Sequence, residues 1–490
     1  MRPKTQLWSA LLWLSLVSPA FAGPKLVILS PHWEGIKREF EAAFIPGYQQ
    51  ATGEKVSLEW LDVGASSNML TYIRSEFAAH PQGIGVDIAW GGGSIYYASL
   101  ASDGLLARAG LTADDLQGIP AQVARSPLYD PSGLWYGAAL SSFGILCNRR
   151  VLDLMHLPAP KLWADLAEPP FFSWVALADP RDSGAAHVML ELMFQSYGWE
   201  KGLEVVTRLG ANAGLIPKSG SQVPVLVATG EVACGPCIDF YAWAKMAEVG
   251  PERLQFILPA GETVITADPI ALLKGAPHPE LARAFIRFVL SAPGQRLWML
   301  PAGAEGGPKN YTLGRLGVRP ELYQQLAGQM VTTFNPFVQG PGLNFNSNLA
   351  EARWQTLNDL FGALIVDPHS LLADAWAAAK DLPPDSPAWK RLSAAPEDEA
   401  TFAARPAEWK DPQRRARTIA EWAQFGRAKY LGALRMAGQE PAAAKVRFYR
   451  AAASIIPICM LIIAAFVPVR RGLELWRRRR ARRGKQRVLD

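Results

Sequence analysis

Between residues 25 and 106 the chain repeats one pattern three times: a short apolar run, a polar or glycine-containing loop, and a stretch of helical spacing. Lys25–Leu29 reads as a buried strand. Ser30-Pro31-His32-Trp33 follows as a loop, and Glu34–Gln50 as a helix with Ile36, Phe40, Phe44 and Ile45 on one face, closed by Thr52-Gly53. Lys55–Leu61 alternates as a second strand, Asp62–Asn68 is a polar loop, and Met69–Phe77 a second helix. Gly85–Trp90 is a third strand, ending in Gly91-Gly92-Gly93-Ser94 before a helix over Ile95–Leu106. This order predicts an α/β sheet with parallel strands, and in such sheets ligands sit at the carboxyl ends of the strands, where these three loops lie.

Leu134–Cys147 is apolar, small and extended, and suits a segment crossing between lobes. Strand and helix then alternate again. Trp174–Ala178 reads as a strand, Asp179–Gly184 as a loop capping the helix from Ala185, Val223–Val232 as a helix, Ala233–Phe240 as a strand and Thr263–Leu273 as a return strand. Glu280–Ser291 is amphipathic and Pro293–Leu300 starts another helix. From Pro320 to Gln439 the pattern is helical, with breaks around Pro336–Gly342 and Leu382–Pro387. Ser386–Pro412, rich in Pro, Ala, Asp, Glu and Lys, reads as a mobile connector, and Thr418–Met436 as a last helix.

Both ends carry membrane signals. Met1–Ala22 has Arg2 and Lys4, the apolar run Leu7–Val17 and then Ala20-Phe21-Ala22, the order of a secretory signal peptide cleaved after Ala22. Ala451–Val469 is 19 residues without a charge, followed by ten basic residues up to Arg487. As a helix it spans roughly 28 Å, close to a bilayer's hydrocarbon thickness, and the arginine cluster places its far side in the cytoplasm. The formal charge of +6 belongs to these ends: residues 470–490 carry +8 and residues 1–22 carry +2, which leaves residues 23–469 at −4. Nothing here supports nucleic-acid binding, which needs a basic patch on the folded domain.

Of the four cysteines, Cys459 lies in the apolar C-terminal run. Cys234-Gly235-Pro236-Cys237 has the spacing of a thioredoxin-type redox motif and in an oxidising compartment can also close as a disulfide. A redox motif belongs at the start of a helix near the beginning of a small domain, whereas this one lies deep in a long chain and runs into Ile238–Tyr241. A structural or incidental thiol pair is the expectation. No Gly-x-Ser-x-Gly elbow, His-Glu-x-x-His motif or phosphate loop occurs, so the chain reads as a non-enzyme that needs no cofactor.

Several segments taken in order resemble the bilobed periplasmic solute-binding proteins of ABC importers, the type that includes ferric-iron, phosphonate, thiamine and polyamine binders. They are Asp87–Gly93; Trp135–Ala138 with Asn148 and Leu152; Leu177–Gly184; Gly230–Ala233 running to Tyr241; and Lys274–Glu280 with Phe285, Phe288, Gly294, Gln295 and Trp298. The resemblance implies an α/β two-lobe periplasmic-binding-protein fold (type II-like), here with a C-terminal helical extension and one transmembrane helix. Lobe one would be 24–138 plus 268–320, lobe two 139–267, the extension 321–450, the membrane helix 451–469 and the basic cytoplasmic tail 470–490. It also implies a small ligand enclosed between the lobes and handed to ABC permease subunits, with the protein on the periplasmic face of the inner membrane.

The strand-end loops supply the candidate ligand contacts. Lobe one offers Ser30, His32, Ser66, Ser67, Gly92, Gly93 and Ser94; the crossing segment and lobe two offer Ser141, Ser142, Ser183, Gly184, Ser221, Gln222, Asp239 and Tyr241. Hydroxyls and glycine N–H groups at helix starts suit an anion, although the same residues also serve as caps and turns. Ferric-iron members of the resembling family use a His in the first loop, a Glu after the third strand and a Tyr-Tyr pair. His32 and Tyr241 match, Ala242 replaces the second Tyr, Gly91–Gly93 lacks the Glu, and Asp239 supplies one carboxylate. The expected ligand is a small anion or a metal chelate, with direct ferric-iron binding by His32, Tyr241 and Asp239, or a polyamine, as alternatives. A ligand sensor coupled to a signalling partner is the competing function, and a thiol-disulfide oxidoreductase the weakest.

Overall fold

Three parallel strands carry the first sheet. In the computed structural model, which describes residues 23–64, 66–338 and 342–439, β1 (Lys25–Leu29) is flanked on one side by β2 (Ser57–Leu61) and on the other by β3 (Ile88–Trp90), all parallel. Each strand feeds a helix: α1 (Glu34–Thr52), α2 (Ser66–Ala79) and α3 (Ser94–Ser102). Gly53 ends α1 in the left-handed conformation at φ 77°, its N–H on Gln49 O at 2.8 Å, which closes the helix without steric strain. A two-residue strand β4 (Leu106–Ala107) and a small hairpin, β5 (Gln122–Val123) and β6 (Ser126–Pro127), lead to β7 (Tyr136–Asn148), every residue of which is buried.

β7 belongs to both compact units of the chain. Its residues up to Ser142 stay with the first; from Phe143 onward they belong to the second. There follow α4 (Arg149–Leu154), β8 (Val175–Ala176), α5 (Gly184–Tyr197), α6 (Trp199–Asn212), β9 (Ala213–Leu215), α7 (Val223–Thr229), β10 (Cys234–Ile238), α8 (Asp239–Val249) and β11 (Leu254–Ile257). The second unit's sheet sets β10 antiparallel to β7 and parallel to β8, and β8 parallel to β9, while β11 pairs with the other edge of β7. The chain then returns to the first unit with β12 (Ile265–Leu273), antiparallel to β3 and to residues 136–142 of β7, and with α9 (Pro279–Leu290), α10 (Ala292–Met299) and α11 (Pro320–Gln325).

The first unit packs around an aromatic cluster. Phe40 lies 4.5 Å from Trp298 and 4.9 Å from Trp90, and Trp90 lies 5.5 Å from Phe285. Each such pair contributes about 0.5–1.5 kcal/mol beyond its area burial.

Residues 342–439 pack into the second unit. They form α12 (Ser347–Ala352), α13 (Trp354–Phe361), a π-helical turn over Gly362–Val366, α14 (His369–Ala379), α15 (Pro387–Ser393), α16 (Glu399–Ala404) and α17 (Pro412–Met436). Trp376, Trp389, Leu392, Phe402, Trp422 and Tyr430 share one apolar cluster with Leu192, Val206 and Leu209 of α5 and α6.

Three expectations need correction. The segment 386–412 is no mobile connector: Trp389, Leu392, Phe402 and Trp409 are buried, and Ser386 and Asp398 cap its short helices. Its Pro- and charge-rich composition masked four apolar anchors. The disulfide joins Cys147 to Cys234, which face each other across β7 and β10, while Cys237 stays a buried thiol. In an extended strand residues 234 and 237 point to opposite faces, so the short spacing does not bring them together. The unit boundaries fall at 142/143, 264/265 and 340/341; the first unit therefore keeps residues 320–338, where Tyr323 donates to Gly317 O at 2.9 Å, and no separate extension begins at 321. The signal peptide at 1–22, the membrane helix at 451–469 and the tail at 470–490 lie outside the described residues. Among the described residues no helix is long and apolar enough to cross a membrane.

Candidate functional site

Because β1, β2 and β3 run parallel, the loops before α1, α2 and α3 leave the same edge of the sheet. The loop after β1 is sealed from below. Ser30 is almost fully buried and its Oγ accepts the N–H of His32 at 3.2 Å. His32 is itself buried, edge-on to Trp90 at 5.1 Å, and its Nε2 lies 2.8 Å from Asp268 Oδ2. Arg315 completes the group: Nη1 donates to the same Asp268 oxygen and lies 3.1 Å from His32 Nε2, and Nη2 donates to Ser141 Oγ at 2.8 Å.

Burial lowers the His32 imidazole below its ordinary value, and Arg315 and Lys37 add to that against the pull of Asp268. Burial alone would raise the Asp268 carboxyl; the Arg315 guanidinium and the His32 ring outweigh it and hold it well below the carboxylate range. Near neutral pH this gives an uncharged imidazole beside an ionised carboxylate, with the Nε2 proton directed at Asp268. Among the described residues His32 Nδ1 is buried and has no partner in the protein.

The loop after β3 is backbone. Gly91, Gly92 and Gly93 take φ of 94°, 100° and 93°, a run that side-chain-bearing residues rarely adopt. A Cβ at Gly91 would stand 2.8 Å from His32 Nε2, whereas one at Gly93 would meet nothing within 4 Å. The glycines thus let backbone press against the His32 group on one side and stay open on the other. Ser94 begins α3; Ser66 and Ser67 begin α2. Ser142 is fully buried in β7.

In the second unit the candidate residues gather at helix starts. Ser183 caps α5, its Oγ accepting Ala186 N–H at 3.3 Å, and Gly184 is that helix's first residue. A Cβ at Gly220 would lie 2.8 Å from Ser183 Oγ, so the 3₁₀ turn Gly220–Gln222 abuts the α5 cap. Ser221 Oγ pairs with Ser219 Oγ at 2.8 Å, and Gln222 precedes α7. Asp239 is buried at the start of α8 with Oδ1 on the Phe240 N–H at 2.7 Å. Tyr241 lies 4.3 Å from the Phe240 ring and packs on the apolar cluster around Leu146 and Cys237. Burial, with Asp239 nearby, pushes the Cys237 thiol up, opposite to the depressed value of a redox nucleophile.

The structure brings together Ser30, His32, Ser141 and the Gly91–Gly93 run in unit one, and Ser183, Gly184, Ser221 and Gln222 in unit two. Of the residues named for iron, His32 stands in unit one and Asp239 and Tyr241 in unit two. No group of three His, Cys, Asp or Glu side chains placed for a metal occurs among the described residues. His32 offers a hard cation little, since its Nε2 is committed to Asp268 and a guanidinium stands beside it. Sequence reasoning missed Asp268 and Arg315. The available signal was a lone carboxylate, followed by proline, in the apolar strand Ile265–Leu273.

Residues 96–302 match the family model of the bacterial extracellular solute-binding proteins. The phosphoglycerate transport regulatory protein PgtC of Salmonella typhimurium is 29% identical over 243 residues, 49% of this chain and 56% of the relative; the chain thus spans little more than half of the curated relative it matches. Iron-bound HitA from Pseudomonas aeruginosa superposes with a TM-score of 0.53 at 20% identity, covering 68% of this chain and 98% of that one. AfuA from Actinobacillus pleuropneumoniae, solved with exogenous fructose-6-phosphate bound, gives 0.50 at 20% identity over 74% and 99%. The fold is thus that of the periplasmic binding proteins, and residues 96–302 are similar to the bacterial extracellular solute-binding proteins, in line with the resemblance carried by the sequence segments.

Proposed function

We propose that the chain is an extracytoplasmic receptor that binds a small anion, of the phosphorylated organic acid or sugar-phosphate class, and delivers it to the permease of an ABC importer without chemically changing it. The observation that carries this reading is the Gly91–Gly93 run, which presents backbone to the start of α3 beside a buried guanidinium and an uncharged imidazole. Helix starts and glycine N–H groups favour oxyanions, and a planar guanidinium favours phosphate and carboxylate. The phosphoglycerate in the name of PgtC and the fructose-6-phosphate bound to AfuA agree with such a ligand. The Cys147–Cys234 bond suits an oxidising compartment, and the sequence signals at both ends suit anchoring to the inner membrane.

Calorimetric titration of the detergent-solubilised full-length protein with 3-phosphoglycerate, fructose-6-phosphate, ferric citrate and spermidine tests the reading. A phosphorylated compound is expected to bind in the micromolar range or tighter; binding of spermidine or ferric citrate alone would refute it. A second reading, a sensor that controls uptake, is favoured by the regulatory name of PgtC. Deleting the gene while the importer is expressed constitutively separates the two: a receptor's loss stops uptake, and a sensor's does not.

A further inference from the structure

We propose that the helical region 342–439 is a working part of the solute site, because Asp367 holds Arg181 and thereby positions the loop Asp179–Gly184. The proposal rests on the receptor reading for its ligand, but its geometry is independent of that reading.

Arg181 is the keystone of the loop. Its Nε donates to both Asp179 oxygens at 3.1 Å, and Nη2 donates to Asp179 Oδ2 at 2.8 Å. The outer edge of the same guanidinium reaches Asp367, with Nη1 at 3.3 Å from Oδ2 and Nη2 at 3.0 Å from Oδ1. Within the loop, Asp179 Oδ1 accepts the Arg181 N–H at 2.9 Å and Asp179 O accepts the Asp182 N–H at 3.2 Å. Asp179 N–H in turn donates to Pro217 O at 3.0 Å. One guanidinium therefore organises the segment that ends in Ser183 and Gly184.

The far partner is placed by an unusual backbone. Gly362–Val366 winds as a π-helical turn, and Asp367 N–H donates to Gly362 O at 2.9 Å. Such wide turns are rare and recur at functional sites. Here the turn brings both of its ends, Gly362 and Asp367, onto Arg181. A Cβ at Gly362 would sit 2.6 Å from Nη1, so the guanidinium lies directly on bare backbone. The same helical region grips α5 further along. His187 Nδ1 lies 2.7 Å from Asn358 Oδ1 under the Trp354 ring, and Glu191 takes a two-point ion pair from Arg353 at 2.7 and 2.8 Å. A loop ordered in advance loses less conformational freedom when ligand binds. By reciprocity, a ligand that tightens 179–184 also tightens 362–367.

The test uses full-length protein with Asp367→Ala, Asp367→Glu, and Asp385→Asn as an exposed control in the same region. Asp367 is half exposed, so its replacement leaves the fold intact. Amide exchange is followed over residues 179–186 without ligand, and 3-phosphoglycerate binding by calorimetry. Asp367→Ala is expected to speed exchange over 179–186 and to weaken binding about two- to fivefold, the range of a partly exposed ion pair. Asp367→Glu is expected to restore both, and Asp385→Asn to change neither. Unchanged exchange in Asp367→Ala overturns the proposal whatever the ligand does. A wild-type protein that binds no probe overturns the receptor reading and, with it, the claim that the brace serves a ligand.

Discussion

Removing the Cys147–Cys234 bond tests the second unit's architecture. The two cysteines are 87 positions apart, and the chain-entropy relation for a loop of that length gives about 4.6 kcal/mol at 25 °C. Residual structure in the unfolded chain lowers such values, so a range of about 2–4.6 kcal/mol is expected for the Cys147→Ala, Cys234→Ala double variant. At about 2–4 °C per kcal/mol for a unit of this size, melting of the second unit should fall by about 4–18 °C in differential scanning calorimetry. The Cys237→Ala protein, whose disulfide is intact, should keep the wild-type sensitivity to reductant. Peptide mapping without reduction should recover residues 147 and 234 in one linked pair. A linked 234–237 peptide, or a double variant that melts with the wild type, would refute the reasoning.

Asp268→Asn removes the counter-charge of the buried Arg315, and breaking a buried pair of this kind costs about 3–5 kcal/mol; chemical denaturation measures the loss. Asp268 and His32 both titrate lower in the folded state than in the unfolded one. Their stabilisation is therefore present above their unfolded values and lost as pH falls, from about 6.5 for the imidazole and from about 3.9 downward for the carboxylate, and Asp268→Asn should flatten the acid limb of the stability curve. Gly91→Ala puts a Cβ against the His32 ring at a φ of 94°, so it should weaken binding of the phosphorylated probe in calorimetry more than Gly93→Ala, which meets open space. Lys429 is fully buried on α17 with Nζ on Ala394 O, and burial, with Arg391 nearby, lowers it to about 7. Its unfolded form holds the proton up to a higher pH, so stability should rise from about pH 7 toward 10, and Lys429→Met should abolish that rise in denaturant titrations.

The parallel first sheet was legible because β1, β2 and β3 each combine a short apolar strand with a polar or glycine loop and a stretch of helical spacing, signals carried by residues adjacent in the chain. The glycine run and His32 were legible for the same local reason. Asp268 and Arg315 were not, since their meaning arises only when residues 236 and 283 positions away reach the first loop. The thiol pairing misled because proximity along the chain is a poor guide in an extended strand, where cross-strand neighbours decide. Residues 386–412 misled because composition averages over Trp389, Phe402 and Trp409, and three well-placed rings outweigh many solvated side chains in burying a segment.

The segmental make-up of the first unit also governs when it can mature. The ribosome adds roughly 5–20 residues per second, so His32 waits on the order of 12–47 s for Asp268 to be synthesised, and longer for Arg315. During that interval the second unit's sheet strands β8 to β11 are completed while β3 still lacks its antiparallel neighbour β12. A nascent chain that has passed β3 but has not reached position 265 therefore leaves that sheet edge open, and the imidazole acquires its acidic companion only late in assembly.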